Sequence, residues 1–223
     1  MFKHVNHLGD IELQSKEIDG VRYYTTPTGN AFPSITSVTS HKNREFFKEW
    51  RQRVGEDEAN RICKVATTQG TKFHEVCQDY LENNLKEDYE PHIMNMFNAA
   101  KPYLDRIGLI HAIERSMFSD VLGIAGRVDC IAEYDGELAI IDFKTSKKIK
   151  KEEWIEQYFV QEVAYACMYY ELTEIPVKKL ITIMVTPEGE VKVFDKRDKM
   201  YYIKLLTQYI KQFVSDKLES YGK

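Results

Sequence analysis

The spacing of apolar residues changes several times along the chain, and each change marks an element. Residues 11–28 alternate around Asp19-Gly20, a two-residue turn signal, and predict a β-hairpin. Residues 33–40 are β-branched and Ser-rich and lead into a helix near Asn43. Residues 44–68 read as one helix with a charged face. Gly70-Thr71 opens another, to about Asn83, whose apolar positions Phe73, Val76, Cys77, Tyr80 and Leu81 follow helical spacing. Pro91 begins a helix to about Arg106. Strands are expected at 109–118, 123–134 and 137–144. A helix over 152–172 comes next, then strands at 178–186 and 190–195 around a turn at Glu188-Gly189, and a last helix over 197–219.

That order predicts an α/β (α+β) sandwich with a mixed sheet. No repeat or linker divides the chain, so one domain over 1–223 is expected. Its helical part is 1–108, and its sheet core with flanking helices is 109–223. The net charge of −4 excludes binding to nucleic acid through bulk charge; a local basic patch must do it. The four cysteines, Cys63, Cys77, Cys130 and Cys167, form no C-x-x-C knuckle and read as reduced core or near-core thiols. With no apolar signal run, no membrane-length stretch and no Arg-rich leader, a cytoplasmic protein is expected, in a bacterium or in a host cell if phage-encoded.

The chemistry concentrates in GRVDCIAEYDGELAIIDFKTSKK, residues 126–148. Asp135-Gly136 is a strong turn pair between two apolar runs. With those two residues as the loop, Tyr134 pairs with Glu137, and the same register puts Asp129 opposite Asp142. Opposed side chains in such a hairpin have Cβ atoms roughly 4.5–5.5 Å apart. Two carboxylates that close repel unless a cation lies between them, and hard divalent cations take carboxylate oxygens. Residues i and i+2 share a strand face, so Asp142 and Lys144 project together. A carboxylate and an ammonium side by side suit phosphodiester hydrolysis, in which a metal acidifies a bound water and a lysine orients it or neutralises charge.

This pattern resembles the PD-(D/E)XK nucleases, with Asp129 on one strand and Asp142-Phe143-Lys144 on the next. Four features are similar to the RecB-like exonuclease branch: His74 in GTKFHE, Glu114 in the preceding strand, GIAGRVD at 123–129, and a Q-x-x-x-Y from Gln161 to Tyr165. PSITSVT, FFKEWRQRVGEDEANR, QGTKFHE and DFKTSKK resemble the group of mitochondrial genome maintenance exonucleases and their phage and bacterial relatives, over roughly residues 30–170.

The resemblance implies a restriction-endonuclease-like sheet flanked by helices and a metal-dependent exonuclease acting on single-stranded DNA or flaps with free ends; the alternatives are an endonuclease or double-strand exonuclease on the same core, or a catalytically inactive module that binds DNA or a helicase. It implies that His74, Asp129, Asp142 and the Phe143 carbonyl hold one or two Mg²⁺ or Mn²⁺ ions, and that Lys144 activates or positions water. Glu114 is a further carboxylate at the site. Gln161 and Tyr165 are implied to contact DNA. No iron–sulfur cluster is expected, because no cysteine follows Cys167. Replication or recombination proteins are candidate partners; a membrane is not. Ser34, Thr36, Ser37, Thr145, Ser146, Lys147 and Lys148 are candidate phosphate contacts, since hydroxyls and lysines commonly reach backbone oxygens. Phe46, Phe47 and Trp50, interleaved with Arg44, Lys48, Arg51 and Arg53, read first as core and otherwise as a base-stacking face.

Overall fold

The computed structural model describes residues 1–221. Strands β1 (Gln14–Ile18), β2 (Val21–Thr25) and β3 (Ala31–Pro33) make a small antiparallel sheet. Its first turn is the expected one, with Asp19 and Gly20 both at positive φ (50° and 71°).

The next stretch differs from the sequence expectation. Helix α1 (Ile35–His41) begins within the β-branched segment, because Ser34 caps it by accepting the Thr36 N–H at 3.2 Å. The expected break at Gly70 is absent. Helix α2 (Arg44–Val54) instead ends at Gly55, whose φ of 86° stops it, and α3 runs unbroken from Glu56 to Leu81. Gly70 lies inside α3, where an added Cβ would sit 3.5 Å from Thr145 Oγ1. Helix α4 (Pro91–Leu104) follows, with Pro91 in its first turn.

The main sheet has the order β4 (Ile107–Ser119), β5 (Ile124–Tyr134), β6 (Glu137–Thr145), β7 (Lys179–Val185), β8 (Val191–Lys196). Only β6 and β7 are parallel, and α5 (Glu156–Thr173) makes the crossover between them. Helix α6 (Lys199–Tyr221) closes the chain's described part. One apolar layer lies between the sheet and α1, α5 and α6, and a second between the sheet and α3 and α4. Helix α5 is buried at every position from Phe159 to Ala166, as befits a helix covered on all sides. The three-stranded sheet docks through a bridge from Ser34 to Ala125 of β5. Among the described residues, no helix is long and apolar enough to cross a membrane. The four cysteines are free thiols; Cys77 and Cys130 are buried and Cys63 and Cys167 half-buried.

Candidate active site

The hairpin of β5 and β6 has the register read from its turn: Tyr134 pairs with Glu137, and the ladder continues to Cys130 and Ile141. It stops one step before Asp129. There the Asp129 side chain takes over, its Oδ2 accepting the Phe143 N–H at 2.9 Å. The alternation of β5 also inverts at this residue. Val128 packs in the α5-side layer, while Cys130, two residues on, packs in the α3-side layer.

Strand β4 is irregular at the same level. Its neighbours Ile113 and Arg115 pair with Cys130 and Val128, which places Glu114 beside Asp129. Glu114 has φ 47°, a left-handed conformation that a non-glycine residue holds only when its surroundings fix it. Arg127 does so. Its Nε lies 3.0 Å from the Glu114 carbonyl oxygen and 2.8 Å from Glu114 Oε2.

Helix α3 brings His74 against these carboxylates. Nδ1 lies 3.5 Å from Asp129 Oδ2 and 3.8 Å from Glu114 Oε1, and Nε2 lies 2.7 Å from the Phe143 carbonyl oxygen. Burial disfavours a charged imidazole, but Asp129 and Glu114 outweigh it and push the His74 pKa up to about 9. Ligand atoms of His74, Glu114 and Asp129 all lie within 4.8 Å of one another. One imidazole, two carboxylates and a nearby carbonyl form a donor set suited to a divalent cation of the Mg²⁺/Mn²⁺ kind.

Asp142 stands apart from that trio. It is 2% exposed and faces α5, where its Oδ2 forms an ion pair with Lys144 but has no hydrogen bond of good geometry. Gln161 Nε2 approaches its Oδ1 at 3.4 Å. Burial raises the Asp142 pKa to about 6, Asp129 adding to the rise and Lys144 opposing it. For Lys144, burial favours loss of the proton, yet Asp142 and Asp129 hold its pKa above the ordinary value. Its ammonium also sits 5.1 Å from the centre of the Tyr158 ring.

The remaining candidates divide by accessibility. Lys147 and Lys148 are exposed just past the site, and Thr145 and Ser146 are half-buried. Thr36 is exposed; Ser37 is half-buried and its Oγ accepts the Arg22 N–H at 3.1 Å. Ser34 is a buried helix cap and not a surface hydroxyl. Tyr165, 1% exposed, is core: its ring fills the space beside Gly126, where a Cβ would lie 2.9 Å from it. Gln161 is buried and turned toward Asp142. These three are buried, Ser34 as a helix cap and Gln161 and Tyr165 in the α5 layer, and present no free face. The aromatics of α2 depart from the core reading the other way, because α2 buries no residue and Phe46 and Phe47 are 66% and 51% exposed.

Two residues at the site went unread. Arg127 was legible as a charge two positions before Asp129 in a mostly apolar strand. Glu162 was legible as the lone carboxylate between Phe159 and Tyr170. It is fully buried against Thr182, the neighbour of Asp142 on β7. One of its oxygens accepts the Thr182 hydroxyl and the other has no partner.

The fold and this cluster define a nuclease-type core, and the family comparison agrees. The model of the PD-(D/E)XK nuclease superfamily matches residues 39–219, and the chain belongs to that superfamily. It is 33% identical over 150 residues to the human protein named mitochondrial genome maintenance exonuclease 1, covering 61% of this chain and 43% of that protein. With the Mus musculus protein of the same name it shares 31% over 131 residues, 54% of this chain and 39% of that one. The chain thus spans about two fifths of the length of these relatives.

Proposed function

We propose that the chain is a Mg²⁺- or Mn²⁺-dependent DNA exonuclease that trims single strands or flaps from a free end during replication, repair or recombination. The observation that carries this reading is the convergence of His74, Glu114 and Asp129 beside the Lys144–Asp142 pair. His74, Asp129, Glu114 and the Phe143 carbonyl would hold the cation, with Asp142 drawn in from its pair with Lys144 when the ion binds. When bound, it supplies Lewis-acid stabilisation of the phosphate and lowers the pKa of water. Lys144 stays protonated beside Asp142, so it orients the attacking water or faces the charge growing on the phosphate. Gln161 steadies Asp142, and Arg127 steadies Glu114.

Two surfaces support DNA as the substrate. Lys147 and Lys148 continue past the site as exposed cations that can track a phosphate backbone. The exposed Phe46 and Phe47, with Trp50, lie on a helix that also carries Arg44, Lys48, Arg51 and Arg53, a combination suited to stacking unpaired bases. The relatives' names, exonuclease and genome maintenance, point the same way. Replication or recombination proteins are the partners this role implies, in a cytoplasm.

The test is digestion of an end-labelled single-stranded oligonucleotide, a circular single strand and a duplex with Mg²⁺, Mn²⁺ or EDTA. Metal-dependent loss of the linear strand with the circle spared is expected, as is loss of that activity in Lys144→Ala. Cutting of the circle would move the reading to an endonuclease. A Lys144→Ala protein as fast as wild type would overturn the mechanism.

A further inference from the structure

A groove of about 410 Å³ lies between α3 and β4 beside the His74–Glu114–Asp129 cluster, and Glu114 lines both. Gln78 and Glu82 follow His74 at intervals of four, so the three share one face of the helix. His74 faces the cluster, and Gln78 and Glu82 line the groove. The half-buried Ile113 gives it an apolar contact beside the buried Ile110 and Ala112, and His111 and Arg115 give it polar ones.

The far end is crossed by the segment Phe2–Asn6. On one side this segment is tied to β4, through Val5 N–H to Ile110 O at 2.8 Å and Ile110 N–H to Lys3 O at 2.9 Å. On the other it is tied to the end of α3. His4 Nε2 lies 2.9 Å from Leu81 O. Phe2 N–H donates to Asn83 Oδ1 at 2.7 Å, and Asn83 Nδ2 donates back to Phe2 O at 3.1 Å. The Phe2 ring meets the Tyr80 ring edge-on at 5.2 Å. The groove therefore shares Glu114 with the carboxylate cluster at one end and meets the bridge, through His4, Val5 and Asn6, at the other.

We infer that this groove receives the terminal nucleotide of the strand being trimmed, and that the Phe2–Asn6 bridge is its stop. The inference rests on the exonuclease reading above. The lining places donors for a phosphate and base beside two carboxylates, Glu82 and Glu114. Arg115, Asn6 and the His111 imidazole offer N–H groups to phosphate oxygens and base edges, Gln78 keeps one amide N–H besides the one it gives Glu82 Oε1 at 3.0 Å, and the half-buried Ile113 suits a sugar or base face. The volume lies at the small end of the roughly 300–1,000 Å³ typical of ligand sites, enough for one nucleotide. A bridge tied on both sides cannot be passed by a strand without ends. A free-end requirement and a short product of constant length are both expected from this one device.

The experiment pairs binding with product length. Wild type and Gln78→Trp, a half-buried position whose enlarged side chain fills the groove, are titrated with thymidine 5′-monophosphate by NMR. Both then digest an end-labelled single strand with Mn²⁺, and the products are sized. Wild type binds the nucleotide, and Gln78→Trp weakens it by about tenfold or more while keeping its Mn²⁺-induced thermal shift. A second protein, Phe2→Gly with Asn83→Ala, loosens the bridge, lengthens the products and begins to cut the circle. A Gln78→Trp protein that binds the nucleotide like wild type and leaves products of unchanged length overturns the assignment. Cleavage of linear strands by wild type without nucleotide binding overturns the pocket alone. Nucleotide binding that Gln78→Trp abolishes, in a wild type that cuts no DNA, supports the pocket and overturns the exonuclease reading.

Discussion

Strands β5 and β6 have two ends with opposite designs. At the hairpin end, backbone pairs with backbone from Tyr134–Glu137 to Cys130–Ile141, side chains alternate between the two core layers, and the turn closes with Asp135 and Gly136 at positive φ. Arg106 clamps that turn from outside, its Nε 3.0 Å and Nη2 2.5 Å from the two Asp135 carboxylate oxygens. At the other end, Asp129 replaces a backbone acceptor with its carboxylate, the alternation inverts, and Glu114 on the neighbouring strand is held left-handed. The closed end uses the backbone to satisfy itself. The open end leaves backbone groups to side chains, and this lets carboxylates from two strands meet an imidazole from a helix. Changes at the closed end should therefore alter stability alone, and changes at the open end should alter chemistry first.

The largest effect is expected at Asp129. Asp129→Asn keeps an oxygen for the Phe143 N–H but removes the charge that faces the cation. Cleavage should fall on the order of 10²–10³-fold, with the urea midpoint nearly unchanged. Asp129→Ala removes the acceptor as well, so it should lose the same activity and about 1–3 kcal/mol of stability besides. Equal stabilities for the two variants would show that the Phe143 bond does not hold the open end.

Arg127 ranks next. It touches the site only through Glu114, where one Nε serves both the carbonyl and the carboxylate of the left-handed residue. Arg127→Ala should weaken Mn²⁺ binding roughly ten- to a hundredfold by calorimetry, the usual cost of losing an outer partner of a ligand. An affinity equal to wild type would mean that Glu114 either keeps its place unaided or does not bind the ion.

At the closed end, Gly136→Ala places a side chain at φ 76°. A cost of about 1–2 kcal/mol in denaturant unfolding is expected, with cleavage per folded molecule unchanged. A loss of activity larger than the loss of folded protein would mean that the two ends are coupled along the strands.

The closed end was readable and the open end was not, for the same physical reason. Turn chemistry at Asp135-Gly136 and a period of two determine a backbone ladder, and those are local properties. The inversion at Asp129 and the kink at Glu114 depend on Arg127 and on His74 from a distant helix, so no local pattern announces them. The expectation of Asp129 squarely opposite Asp142 carried a regular ladder one step too far. The same limit explains the helices. Periodicity showed that residues 44–81 are helical, but both Gly55 and Gly70 could break them, and only Gly55 takes the positive φ that does. Gln161 and Tyr165 were legible as one helix face. Their burial against Asp142 and Gly126 is a property of the packed sheet.

The smallest effect tests the wall behind the open end. Burial, with Asp142 adding to it, raises the Glu162 pKa well above that of an ordinary carboxylate, so the fold favours its neutral acid form. In the unfolded chain it ionises above about pH 4.5. Such a group contributes stability that is fully present below the unfolded pKa and lost as pH rises toward the folded one. Wild type should accordingly lose stability relative to Glu162→Gln as pH goes from 4.5 to 8, by on the order of 1 kcal/mol for each pH step of one between the unfolded and folded pKa. Glutamine keeps a carbonyl oxygen for the Thr182 hydroxyl, so at pH 4.5 the two proteins should unfold at nearly the same denaturant concentration, and cleavage at pH 7 should change by no more than about threefold. Parallel stability curves across that range would mean that Glu162 is ionised in the fold. It would then be a second negative charge behind Asp142, in place of the uncharged wall against which Lys144 and Asp142 pair.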